Sequence, residues 1–148
     1  MSRDPIPTWY FALVVVRKGD RFLLVHERKH GQRWFFPAGR VEPGETLMEG
    51  AVRETLEESG VPVRLEGVLE IQHTPQGESA RVRVFFLASP LDDTPPLSEP
   101  NEHSLEARWV TLDDLSDLPL RGREVAQRLK AVAEGAPSYP LSLLSSEI

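Results

Sequence analysis

The stretch from Gly39 to Val61 constrains this chain more than any other: Gly-Arg-Val-Glu-Pro-Gly-Glu-Thr-Leu-Met-Glu-Gly-Ala-Val-Arg-Glu-Thr-Leu-Glu-Glu-Ser-Gly-Val. Glu42-Pro43-Gly44-Glu45 reads as a turn, because proline fixes φ and the glycine after it supplies a positive φ. Thr46 begins a helix, and Glu49 three residues on completes a capping box. Gly60 ends the helix as a left-handed cap, which makes Ser59 its last residue.

On a helical wheel Leu47, Met48, Ala51, Val52 and Thr55 form an apolar stripe that must be buried. Glu54, Glu57 and Glu58 share a neighbouring arc at i, i+3 and i+4 spacing, where like charges repel. A charge run is commonly just a solvated face. A cation above the arc would remove the repulsion, and hard divalent ions such as Mg²⁺ or Mn²⁺ take oxygen ligands. Arg53 and Glu45 are placed to pair and brace the turn against the helix.

The frame as a whole narrows the choice. Gly39, five residues, Glu45, seven residues, then Arg53-Glu54-Thr55-Leu56-Glu57-Glu58-Ser59-Gly60-Val61 resembles the box of the Nudix hydrolase superfamily. Thr55 stands where that family usually has an aliphatic residue. At the centre of the stripe, its methyl can pack and its hydroxyl can bond the Ala51 carbonyl.

The resemblance implies an α+β Nudix fold, an α/β/α sandwich with a mixed sheet between helices. It also implies hydrolysis of a pyrophosphate bond dependent on Mg²⁺, with Mn²⁺ as the substitute. Glu57 and Glu58 would bind the metal, and Glu54 would be either a ligand or the base. Glu54, Glu57 and Arg53 form the catalytic group, and Gly39, Arg40 and Glu45 the loop that meets the bound group. Relatives often add a carboxylate from outside the box, for which Glu102 is preferred to Glu106 because a loop residue reaches more freely.

A chain of 148 residues is one domain by length, with 1–8 a loose entry and 136–148 a tail. It has no cysteine, so thiolate metal sites and disulfides are excluded. The run Trp9–Val16 is too short to span a bilayer and lacks a cleavage pattern, which leaves the cytoplasm as the default location. A net charge of −6 argues against nucleic acid as a partner. An anionic substrate must therefore be drawn in by metal ions and local arginines. The sequence is compatible with a homodimer and contains nothing that requires one.

In chain order, Trp9–Arg17 reads as a strand buried on both faces, and Arg21–Arg28 as its hairpin partner. Trp34–Gly39 reads as one short strand ended by Pro37. Val63–His73 is a strand with a bulge or bend at Gly67. Thr74–Glu78 is a turn, followed by strands at Ala80–Ala88 and Leu105–Val110. A second helix, about Arg123–Glu134, shows Val125, Leu129, Val132 and Ala133 on one face. His26 and His30 read as surface histidines, while His73 and His103 could approach the substrate. Arg28, Arg33, Arg40 and Arg81 are candidate phosphate or base contacts, and solvated side chains when taken singly. Trp34 and Phe36 suit either base stacking or the core.

For the substrate, the coenzyme A and NADH patterns of the superfamily are absent. Pro75 falls close to a proline of the ADP-ribose branch. Broader likeness runs through Pro37–Glu45, Val82–Ala88, Ser104–Trp109 and Leu118–Arg121. It is to Nudix phosphatases of nucleoside di- and triphosphates, including branches acting on oxidised guanine diphosphates and on thiamine precursors. The expectation is thus a nucleotide-type pyrophosphate, with ADP-ribose or a nucleotide sugar as the alternative. A non-catalytic ligand-binding Nudix module is the competing class, and such modules typically lose box glutamates that this chain keeps.

Overall fold

The computed structural model describes residues 3–147. Strand β1 (Thr8–Lys18) is the axis of the fold. Along one edge it pairs in parallel with β6 (Ser79–Pro90), and β6 pairs antiparallel with β5 (Val63–Gln76). Its other edge is shared. Phe11–Leu13 pair with β4 (Ala38–Arg40), and only Arg17 and Lys18 pair with β2 (Arg21–Glu27). Strand β2 then carries β3 (Trp34–Phe35) and β7 (Ser104–Val110), both antiparallel. The sheet therefore forks where β2 leaves β1, and the fork opens a cleft.

Alternation along the strands sorts two cores onto opposite faces. Ala12, Val14 and Val16 of β1 lie with Val84, Phe86 and Ala88 of β6 under helix α1 (Leu47–Ser59). Leu13 and Val15 lie with Phe35, Phe36 and Phe85 under helix α2 (Glu124–Ala133), which contributes Val125, Leu129 and Val132. The result is the α+β sandwich expected, with a mixed sheet between two helices.

Helix α1 has the caps read from the sequence. Thr46 accepts the Glu49 amide, Glu49 accepts the Thr46 amide at 3.0 Å, and Gly60 is left-handed at φ 76°. Gly44 supplies the positive φ of the preceding turn. Thr55 is fully buried and its hydroxyl donates to Ala51 at 2.8 Å.

Five expectations are corrected. The Trp34–Gly39 strand is two strands, broken at Phe36-Pro37 where the chain passes from β2 to β1. Pro37 still serves β1, because its carbonyl accepts the Val14 amide at 3.0 Å. The Thr74–Glu78 turn is only Gly77-Glu78, and pairing of Thr74, Pro75 and Gln76 with β6 extends both strands. Val52 faces solvent, because the buried line of α1 is Gly50, Ala51, Thr55 and Ser59. Small side chains there let the helix sit close to the sheet. Burial of β1 on both faces is confined to 12–16, and Trp9 and Tyr10 are exposed. Residues 139–144 lie on the fold: Tyr139 and Val68 exchange two backbone hydrogen bonds at 2.8 Å, and Leu141 and Leu144 pack on the α1-side core. That crossing accounts for Gly67, where a Cβ would come within 3.0 Å of the Tyr139 carbonyl, and the strand also bulges between Leu65 and Gly67.

Candidate active site

The cleft at the fork encloses about 420 Å³. One wall is Gly39 of β4 with Glu54 and Glu58 of α1, and its floor includes Phe11 and Leu13 of β1. Basic side chains close the remainder: Arg28, Lys29, Arg81, Arg83 and Arg121. A wider depression of about 500 Å³ lies beside Trp9, Tyr10 and the Glu42–Glu45 turn, but none of the acidic arc reaches it.

Arg53 organises the arc. Its Nε and Nη2 donate to the two Glu45 oxygens at 2.6 and 2.9 Å, and its Nη1 donates to Glu54 at 3.0 Å and Glu57 at 3.1 Å. Nη2 also donates to the Arg40 carbonyl. The bidentate pairing with Arg53 holds the Glu45 carboxyl below its usual range, while Glu45 Oε1 also accepts the Glu42 amide at 3.0 Å. Glu45 is thus a brace between loop and helix.

The arc is not the solvated face that a helical wheel alone suggests. The Glu54 side chain is only 15% exposed, and burial raises its carboxyl despite the opposing charge and hydrogen bond of Arg53. Burial raises Glu58 well above its usual range, against the Ala38 amide that donates to it at 2.8 Å. The charges of Glu54, Glu27 and Glu57 push it the same way. Groups so perturbed within a cleft mark a candidate reaction centre.

Gly39 explains how these groups come together. A Cβ built on it would overlap the Glu54 carboxyl, so only glycine lets β4 and that carboxyl share the space. From the other side, Asn101 donates to the Glu57 carbonyl at 3.1 Å, and the Ser104 hydroxyl donates to the Glu58 carbonyl. These bonds bring the segment before β7 against the end of α1. Glu102 sits there on the cleft rim, 86% exposed, with His103 Nε2 at 3.3 Å. Glu106 instead pairs with Arg108 on β7.

Among the described residues, no three His, Asp or Glu side chains are gathered closely enough to hold a metal ion as they stand. The expected set of Glu54, Glu57, Glu58 and Glu102 is therefore not assembled, since Arg53 draws Glu54 and Glu57 and Glu102 points into solvent. The donor chemistry nonetheless suits a hard divalent cation. Glu58 has an oxygen beyond its amide bond, Glu54 is pressed into the space Gly39 vacates, and all the donors are carboxylate oxygens.

Arg40 turns away, its guanidinium 4.9 Å from the Trp9 ring. Arg33 folds onto the His30 carbonyl. Trp34 and Phe36 are core residues, and His26 stacks on Trp34. His73 lies on the β5–β6 hairpin, while His103 reaches within 4.0 Å of Glu57.

Glu27, Arg83 and Arg121 were not singled out from the sequence. Glu27 accepts Arg121 Nη1 at 2.9 Å through Oε2, and its buried Oε1 has no partner among the described residues. Arg83 donates to both Glu124 oxygens, at 3.2 and 2.7 Å, and to Gln72 at 2.9 Å. The available signal was Arg81-Val82-Arg83, charge alternating inside a central strand that should otherwise be apolar.

The NUDIX domain model matches residues 7–132. The chain belongs to the NUDIX domain family. It is 36% identical over 124 residues to the human 8-oxo-dGDP phosphatase NUDT18, covering 82% of this chain and 37% of that protein. This chain thus spans little more than a third of that relative. It is 29% identical over 133 residues to phosphatase NudJ of Escherichia coli K12, covering 88% of this chain and 86% of NudJ. A NUDIX hydrolase from Nitrosomonas europaea superposes with a TM-score of 0.78 at 25% identity, over 95% of this chain and 97% of that one. No helix among the described residues is long and apolar enough to cross a membrane.

Proposed function

We propose that this NUDIX chain is a Mg²⁺-dependent hydrolase that cleaves a pyrophosphate bond in a nucleoside di- or triphosphate, oxidised nucleotides included. The observation that carries this reading is one cleft with two characters: raised, half-buried carboxylates at one end, and around the rest the basic side chains Arg28, Lys29 and Arg81, with Arg83 and Arg121 already paired to Glu124 and Glu27. A pyrophosphate needs both, a metal-binding end for the scissile bond and cations for the remaining charge. The names of two relatives, an 8-oxo-dGDP phosphatase and a phosphatase covered over most of its length, support the substrate class.

Glu57 and Glu58 would hold the cation, with Glu102 able to swing in from the rim. When bound, the cation neutralises phosphate oxygens and lowers the pKa of water. Glu54 accepts the proton of the attacking water, since a carboxyl raised by burial is better matched to that task near neutral pH. Arg53 orients Glu54 and Glu57 from behind, through bonds that Glu45 anchors. Arg28, Lys29 and Arg81 bind phosphate oxygens.

Initial phosphate-release rates over nucleoside di- and triphosphates, ADP-ribose and nucleotide sugars test this directly. Turnover should require Mg²⁺, cease in EDTA, and fall by about 10²-fold or more in Glu57→Gln, the scale of one lost electrostatic stabiliser. Turnover in excess EDTA, or an active Glu57→Gln, would remove the metal assignment. Preference for ADP-ribose would move the substrate to the alternative class, and a folded protein inert on the whole panel would be a binding module.

A further inference from the structure

The cations of the cleft fall into two kinds. Arg28, Lys29 and Arg81 have no carboxylate partner among the described residues: Arg28 donates to the Asn101 carbonyl at 2.6 Å, and Arg81 lies 5.4 Å from the Phe11 ring. Their charge is available for phosphate. Arg83 and Arg121 are each neutralised, by Glu124 and Glu27 respectively. A guanidinium already matched to a carboxylate offers a phosphate little net attraction, but keeps directional N–H donors.

The two neutralised arginines differ in what remains free. Arg83 has both terminal nitrogens on Glu124 and its Nε on Gln72, so no adjacent pair of donors is left over. Its role is to tie β6 to the start of α2. Arg121 gives a single Nη1 bond to Glu27 and stacks 4.4 Å from the Phe35 ring. Among the described residues nothing else accepts from its guanidinium, so one edge is uncommitted, and both it and Phe35 line the cleft. Its backbone is also fixed, because the Arg121 amide donates to the Trp34 carbonyl at 2.9 Å. Three residues on, Glu124 locks the same corner through Arg83.

We propose that Arg121 is the specificity-determining residue of this cleft, its free edge donating to paired acceptors on a purine ring of the guanine type. Glu27 is its positioning residue. The ligand chemistry follows from the donor set. A neutralised, planar, two-donor edge beside an aromatic ring matches adjacent carbonyl and ring-nitrogen acceptors on a flat heterocycle, as guanine presents at O6 and N7. Adenine and cytosine offer a donor amine at the corresponding place. This inference rests on the nucleotide reading given above, but binding tests it without turnover.

The test is calorimetric titration of the full chain, in chelator, with dGMP, 8-oxo-dGMP, dAMP, dCMP and inorganic pyrophosphate. Wild type should bind dGMP about tenfold or more tightly than dAMP, dCMP and 8-oxo-dGMP, the scale of one bidentate pair. The N7 of 8-oxo-dGMP carries a proton and cannot accept. Arg121→Lys keeps the charge and loses the paired edge, so it should erase that preference while leaving pyrophosphate affinity unchanged. Glu27→Gln should weaken the preference in part. Arg81→Gln should weaken every phosphate ligand by a similar factor. The inference is overturned if wild type shows no preference for dGMP, if Arg121→Lys keeps it, or if Arg121→Lys loses pyrophosphate and nucleotides alike. A lower melting temperature in Arg121→Lys with base preference intact would make the residue structural, which also overturns it. Base-selective binding with no hydrolysis of any substrate in Mg²⁺ would instead leave this inference standing and remove the hydrolase reading.

Discussion

Single residues carry most of this site's specificity of form, and Gly39 is the sharpest case. It has no positive φ to maintain, so its role is spatial: its missing Cβ is the space the Glu54 carboxyl occupies. Gly39→Ala should therefore cost little stability, because the displaced atoms are the end of a flexible side chain. The displacement falls on the proposed base and on its bond to Arg53. Turnover should drop about 10²-fold, the scale of an ångström-sized misplacement, with urea-unfolding midpoints close to wild type. Retained turnover would show that the Glu54 position is not critical. Much at this scale could be read beforehand. The pairing of Arg53 with Glu45, the Thr55 hydroxyl bond and the Thr46 cap all follow from local spacing. Glu27 with Arg121 and Arg83 with Glu124 could not be read that way, because their partners lie far apart in sequence and meet only through the forked sheet.

At the scale of elements, the same distinction separates expectation from outcome. The bounds of helix α1 were legible to the residue because its turn, cap box and terminal glycine are all local signals, whereas the exposure of Val52 depends on how the helix sits on the sheet. Strand β5 was not, since pairing with β6 carries it through Pro75, which the local turn signal placed outside the strand. The segment beyond Gly135 reads as a partly apolar tail because Gly135, Pro137 and Pro140 end the second helix. In the folded chain it hydrogen-bonds to β5 at Val68 and adds Leu141 and Leu144 to the core. Ending the chain at Ala136 removes two backbone hydrogen bonds and two half-buried leucines, about 2–4 kcal/mol of stability in total. Chemical denaturation should show that loss, while turnover per folded molecule persists because none of these residues lines the cleft. An unchanged unfolding midpoint would mean the segment lies on the surface without contributing.

For the molecule as a whole, the carboxylates set how stability varies with pH, and the sign can be worked out. Burial raises Glu58, Glu54 and Glu27 in the folded chain. The folded state thus holds those protons more tightly than the unfolded chain does. Their contribution is fully present below the ordinary carboxylate range and is lost as pH rises through the raised folded values. Glu45 and Glu124 are lowered by hydrogen bonds from Arg53 and Arg83, so their contribution is present above that range and lost as pH falls through the lowered values. Metal-free protein should accordingly melt highest at about pH 5, between these opposing losses, and lower toward pH 8. A divalent cation favours the ionised carboxylates, so Mg²⁺ should raise the melting temperature more at pH 8 than at pH 5. Glu58→Gln has no proton to hold, and in chelator it should flatten the decline between pH 5 and 8. Melting curves on both proteins, in EDTA and in Mg²⁺, decide the matter. A wild-type melting temperature in EDTA that climbs steadily to pH 8 would show that burial does not dominate these carboxylates. A Mg²⁺ effect independent of pH would place the cation away from them.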